Sequence, residues 1–184
     1  MNRSTYSIIL LSCYLSSAVA GTEQYQYWKT QIPPAFMTWS RSTDDRVAIC
    51  FAVEKTTFAT NEAIHVLCAV KNLTDKPLTL LRPFGDIFYA QEAGISIVGP
   101  DGAIRYAGPM KSYVLGTIAF VELAPHAVIE EKLELRKDIF PNLGKLGMYV
   151  IGYSYNSPQY PKQQQPDNLW QGSIKANSVT ILIK

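Results

Sequence analysis

No stretch of this chain shows a convincing helical period. From residue 47 onward it reads as short apolar runs separated by turn-forming residues. Residues 47–54 are apolar almost throughout, and residues 63–71 alternate around Ile64, Val66, Cys68 and Val70. Asn72-Leu73-Thr74-Asp75-Lys76-Pro77 is a turn, followed by the short apolar run 78–81. Residues 95–98 lead into the strong turn Gly99-Pro100-Asp101-Gly102, and residues 103–106 return from it. Residues 120–123 and 128–135 flank Ala124-Pro125-His126, and residues 148–155 and 178–183 complete the series. Strands this short bury their apolar faces by packing one sheet on another. The pattern predicts an all-β fold, an antiparallel β-sandwich of about seven to nine strands. A composition of 47% hydrophobic and 17% charged residues supplies apolar surface enough for a core, which excludes general disorder. A length of 184 residues is that of one domain with appendages.

The appendages are at the N-terminus. In residues 1–20, Arg3 precedes an apolar stretch that ends in small residues and Ala18-Val19-Ala20, a small-x-small sequence before Gly21. This is the pattern of a cleaved export signal. The apolar run is interrupted by serine and falls short of the roughly 20 residues a membrane span needs. Leu10-Leu11-Ser12-Cys13 offers a second processing route, lipidation at Cys13. Either way the chain is expected to be exported, periplasmic or extracellular, with no integral membrane span. Residues 21–45 hold no sustained period, carry Tyr25, Tyr27, Trp28 and Trp39, and are stiffened by Pro33-Pro34. They read as an extended aromatic arm lying across a domain formed by residues 46–184.

Net charge is +2, from seventeen basic and fifteen acidic residues. Phosphate backbones demand a basic excess gathered on one face, so nucleic acid is not the expected partner.

Leu143-Gly144-Lys145-Leu146-Gly147-Met148-Tyr149 opens the apolar run 150–155. A glycine followed two residues later by a tyrosine at a strand start resembles the tyrosine corner of immunoglobulin-like sandwiches, where the phenol ties a crossing connection to the backbone. The strand-turn series around Phe58, Thr60-Asn61-Glu62 and residues 72–77 also resembles extracellular immunoglobulin-like modules. A more particular resemblance covers roughly residues 47–183. Gly99-Pro100-Asp101-Gly102, Tyr106-Ala107-Gly108-Pro109, Leu123-Ala124-Pro125 and Gly147-Met148-Tyr149 look like the pro-region of deuterolysin-type (aspzincin) zinc metallopeptidases. Those peptidases carry a His-Glu-x-x-His helix. Here the two histidines are His65 and His126, and no such motif exists, so no catalytic residue carries over. The resemblance implies a free-standing pro-region-like module that binds a secreted metallopeptidase as an inhibitor or folding helper.

Cys50 and Cys68 would meet an oxidising compartment, which raises a disulfide between them. Strand parity opposes it. If Val47, Ile49, Phe51 and Val53 point inward, Cys50 points outward, whereas Cys68 shares the face of Val66 and Val70. Turning Ala48, Cys50 and Ala52 inward, or a bulge, would restore it. No basic cluster near either thiol suggests catalysis. The residues suggest no metal site and no cofactor. Glu130 and Glu131 are strand neighbours on opposite faces and cannot form an acid–base pair. Asn72-Leu73-Thr74 is a glycosylation sequon in an expected surface turn.

Two long connections suit recognition. Residues 82–94 present Phe84, Ile87, Phe88 and Tyr89; residues 157–172 present Tyr160, Gln163, Gln164, Gln165 and Trp170. Aromatic, amide and proline residues give contact area at modest ordering cost. The competing place for Trp170 is as a cap on the sandwich's own core. The expected function is therefore an exported, non-catalytic protein-binding module. Its alternatives are a structural or adhesive envelope module, or a carbohydrate-binding module using Tyr160 and Trp170.

Overall fold

The computed structural model describes residues 37–81, 94–107, 120–157 and 166–184. These residues form two principal β-sheets around one core, with no helix among them. The first sheet has the order β1-β2-β4-β9, comprising Trp39–Arg41, Val47–Val53, His65–Asn72 and Val128–Glu134. The second has the order β3-β12-β10-β6-β7, comprising Thr57–Phe58, Val179–Ile183, Gly147–Ser157, Ile95–Gly99 and Gly102–Ile104. The strand β11, Gly172–Lys175, pairs with the far half of β10. A two-stranded piece joins β5, Leu78–Leu81, to β8, Phe120–Leu123. Every strand pair is antiparallel except β3 with β12.

Nine of the twelve strands fall on expected runs. The additional ones are β1, β3 and β11. β1 is a correction to the expected arm: residues 39–41, placed outside the sandwich by their irregular sequence, pair with Ala48, Ile49 and Cys50. β3 and β11 are too short to show a period, and pairing with β12 and β10 is what orders them.

The alternation on β10 shows how the core is assigned. Tyr149, Ile151, Tyr153 and Tyr155 are buried, whereas Met148 and Val150 are exposed. From the other sheet, Val47, Ile49, Phe51, Val53, Val66, Cys68 and Val70 join the same core cluster. The rings of Phe51 and Tyr153 meet across it with centroids 6.0 Å apart.

The connection from β9 to β10 carries the chain from one sheet to the other, and it is apolar. Leu135, Ile139, Phe140 and Leu143 are buried in it, with Phe140 edge-on to Tyr106. Positive φ at Asn142, Gly144 and Gly147 reverses its direction. At Gly147, with φ of 138°, a side chain would also press on Pro100. The Tyr149 hydroxyl donates toward the carbonyls of Lys145 (2.8 Å) and Asn142 (3.1 Å). This is the tether that the Gly-Met-Tyr sequence suggested.

Cys50 and Cys68 are free thiols, and the bridge considered from the sequence is not formed. The register sets Cys68 opposite Phe51 and Cys50 opposite Ala69. One residue of offset places the two sulfurs on opposite faces of the sheet, where no rotamer joins them.

Candidate functional site

Of the residues expected to bind, Phe84, Phe88, Tyr89, Tyr160, Gln163, Gln164 and Gln165 lie outside the described residues. Trp170 is described, and its position is a correction. It is 1% exposed, so it offers no stacking platform to a glycan.

Residues 166–172 are pinned to the sandwich by contacts on every side. The Trp170 amide donates to the Thr79 carbonyl (2.8 Å), and the Thr79 amide donates to that of Asn168 (3.2 Å). The Trp170 carbonyl accepts from the Ser157 hydroxyl (2.8 Å). The indole Nε1–H donates to Asp44 Oδ2 at 3.0 Å, and its rings stack on Tyr155. The Tyr155 hydroxyl donates to the Leu81 carbonyl (2.6 Å). Trp170 therefore joins β5, β10 and the turn after β1. At Gly172 the indole lies so close that a Cβ would stand 2.6 Å from Cζ2, which excludes a larger residue.

The sequon residue Asn72 is likewise buried, at 0% exposure, rather than displayed. Its amide nitrogen lies within hydrogen-bond distance of the carbonyls of Lys76 (2.8 Å), Leu123 (3.1 Å) and Ala124 (3.0 Å). Its oxygen accepts from the amide (2.9 Å) and hydroxyl (2.8 Å) of Thr74. Asn72 clasps the 72–77 turn to the end of β8, and no hydrogen is left for a glycan bond.

The titratable groups do not converge. Among the described residues no three of His, Cys, Asp and Glu are grouped to hold a metal ion. His65 approaches Glu54 at 3.5 Å and His126 approaches Asp75 at 2.9 Å, in separate places. A cleft of about 280 Å³ lies between residues 61–63 and 134–138. Several of its charged groups are bonded within the protein: Glu62 to Lys55, Asp138 to Arg136 and Lys137 to the Thr60 carbonyl. Burial, with Glu130 nearby, pushes the Cys50 thiol up to about 11. Burial pushes Cys68 well above the ordinary thiol value, with Cys50 and Glu131 adding to it. Both are protonated at neutral pH, a state unsuited to nucleophilic attack.

The feature that reads as an interaction surface was not singled out from the sequence. Val98, Leu146, Met148, Val150 and Leu182 are exposed, by 48%, 67%, 63%, 42% and 39%. Four of them are joined by register on the outward face of the larger sheet. Val98 lies opposite Val150, and Met148 lies opposite Leu182. Directly opposed side chains in a sheet have Cβ atoms about 4.5–5.5 Å apart, so these residues form one continuous apolar surface. Leu146 stands just ahead of β10. Thr57, Thr180 and Ser96 lie around it by register, with the Lys145–Asp101 ion pair (2.8 Å) at the same end as Leu146. Single exposed apolar residues are ordinary on a protein surface; here four are contiguous and have a polar border. The signal was present in the sequence as Met148, Val150 and Leu182 at alternate positions, within runs apolar on both faces.

No protein-family model matches the chain, and no curated protein matches it in sequence.

Proposed function

We propose that the chain is an exported, non-catalytic protein-binding module built on an immunoglobulin-like sandwich, and that it binds through the outward face of β6, β10 and β12. The observation that carries this reading is the Val98–Val150 and Met148–Leu182 pair set, apolar and open to solvent. A flat face of valine, leucine and methionine with a polar border suits an apolar protein surface, and the flexible Met148 side chain adapts to the partner's relief. The burial of Trp170 removes one of the two residues on which the carbohydrate reading relied; the other, Tyr160, lies outside the described residues.

For the partner, the resemblance to metallopeptidase pro-regions favours a secreted peptidase. The test is affinity capture from culture supernatant or periplasm with the unaltered chain and with Met148→Asp/Leu182→Asp. A peptidase held by the first and lost by the second, with the thermal midpoint unchanged, is the expected result. Equal capture by both chains would place binding elsewhere. Capture that depends on this face but brings no peptidase would leave an adhesive or envelope module as the better reading.

A further inference from the structure

The two outward faces of the sandwich are treated in opposite ways. On the larger sheet, valine, methionine and leucine stand open. On the four-stranded sheet, the outward side chains include Ala48, Cys50 and Ala52 of β2 and Leu67 and Ala69 of β4, as the register requires. These five point away from the core between the sheets, yet they are 2%, 0%, 0%, 1% and 1% exposed. They are as shielded as Ile49 or Val66 on the inner face. Ala52 and Leu67 form an apolar cluster separate from the main core, and Met37 packs against it. Four of the five are alanine or cysteine. A floor of such short side chains is a shallow trough, and it needs bulk from above to be filled at protein density.

We propose that this trough is the docking site of the chain's own N-terminal arm, residues 21–36. Three observations select that occupant. The first is the point of entry. Met37, the first described residue, already packs on Ala52 and Leu67, so the arm joins the sandwich on this face. The second is reach. Sixteen residues of extended chain span about 50 Å at roughly 3.3 Å each. Crossing from β1 to β9 requires only three strand spacings of about 4.8 Å. The third is shape. The arm's sequence carries Tyr25, Tyr27, Trp28, Ile32 and Phe36, large side chains for a floor in which only Leu67 is large, between Trp39 opposite Cys50 and Glu130 opposite Ala69, and Pro33-Pro34 favours an extended chain at little further ordering cost.

Cys50 lies at the centre of this floor and Cys68 on the opposite side of the same strand pair, so the two thiols report separately on the trough and the core. The experiment is iodoacetamide labelling of the folded chain beginning at Gly21, with each cysteine followed by peptide mapping. Both thiols should label slowly. In the variant Tyr25→Ser/Tyr27→Ser/Trp28→Ser, Cys50 should label at least about tenfold faster while Cys68 stays protected. No change at Cys50 would overturn the proposal. A second measurement decides the case in which both thiols are released together. Tryptic cleavage after Lys29 in the unaltered chain should be at least about tenfold slower than in a free peptide of residues 21–36. Equal cleavage rates would overturn docking. Protection of Cys50 only in the chain that retains residues 1–20 would assign the cover to those residues instead. Protection lost on dilution would assign it to a second copy.

Discussion

Trp170 lies against Tyr155 with ring centroids 5.7 Å apart and planes inclined by 17°. The Tyr155 hydroxyl reaches the Leu81 carbonyl, and the indole Nε1–H reaches Asp44. One stacked pair thus binds the end of a long connection to the turn between β1 and β2 and to β5. The contact turns an aromatic residue that looks like a recognition element into part of the core.

Trp170→Ala is expected to cost about 3–5 kcal/mol, since it leaves a cavity beside Tyr155. Trp170→Phe keeps a ring there and removes the bond to Asp44, for a smaller loss of about 1–2 kcal/mol. Urea denaturation of both variants checks this. An unchanged midpoint for Trp170→Ala would mean that the indole does not support the fold.

Asp44 gives the same junction an acid dependence. Partial burial works to raise its pKa, but bonds from the Ser42 hydroxyl, the Arg46 amide and the Trp170 indole outweigh burial and hold it below the ordinary carboxylate value. A folded-state pKa below the unfolded one means that the stabilisation is complete above the unfolded value and lost as pH falls through the folded one. Stability should therefore decline on acidification with a component that Asp44→Asn removes, read from circular dichroism during urea denaturation at each pH.

At the alkaline end the sign reverses. Cys50 is raised from 9.0 to about 11, chiefly by burial and then by Glu130. Its contribution is complete below pH 9.0 and falls away as pH rises toward about 11, because the unfolded chain loses that proton first. The thermal midpoint should drop across this window, and Cys50→Ala should flatten the drop. Identical profiles for the two chains would show that the thiol is not shielded.

Tyr149→Phe keeps the buried ring and deletes the hydroxyl that reaches Lys145 and Asn142. A loss of about 1–2 kcal/mol is expected, since the freed carbonyls lie at a partly buried crossing. Chemical denaturation measures it. A variant as stable as the parent would reduce the Gly-Met-Tyr sequence to ordinary core packing.

Asn72→Ala removes an amide whose two hydrogens are shared among three carbonyls and whose oxygen accepts from Thr74, at an expected cost of about 2–3 kcal/mol. The same burial predicts that folded protein made in a eukaryotic secretory pathway carries no glycan at Asn72. Intact-mass analysis of the folded fraction tests it, and a glycosylated folded species would contradict the placement of Asn72.

The fold was more legible than the surface. Short apolar runs bounded by turn residues located nine strands, two of them, β5 and β8, with both ends correct, because local turn chemistry and local hydrophobicity mark where a strand stops. Strand parity raised an objection to a Cys50–Cys68 bridge but left it open, and only the register of β2 on β4 separates the two sulfurs. The misreadings share one cause. Trp170 and Asn72 sit among turn residues, where local sequence suggests exposure, and distant segments bury them: β5 and β10 around Trp170, β8 around Asn72.

Sequence by itself determined that this chain forms strands, where most of them begin, and which residues share a face. Those properties follow from backbone pleating and local turn chemistry, which act over a few residues. Only the tertiary structure decided which faces meet water. Hydrophobicity would bury Val98, Met148, Val150 and Leu182 before Ala48, Cys50, Ala52 and Ala69, and the reverse is found. Alternation assigns a side chain to a face, but whether that face is covered depends on segments far away in sequence.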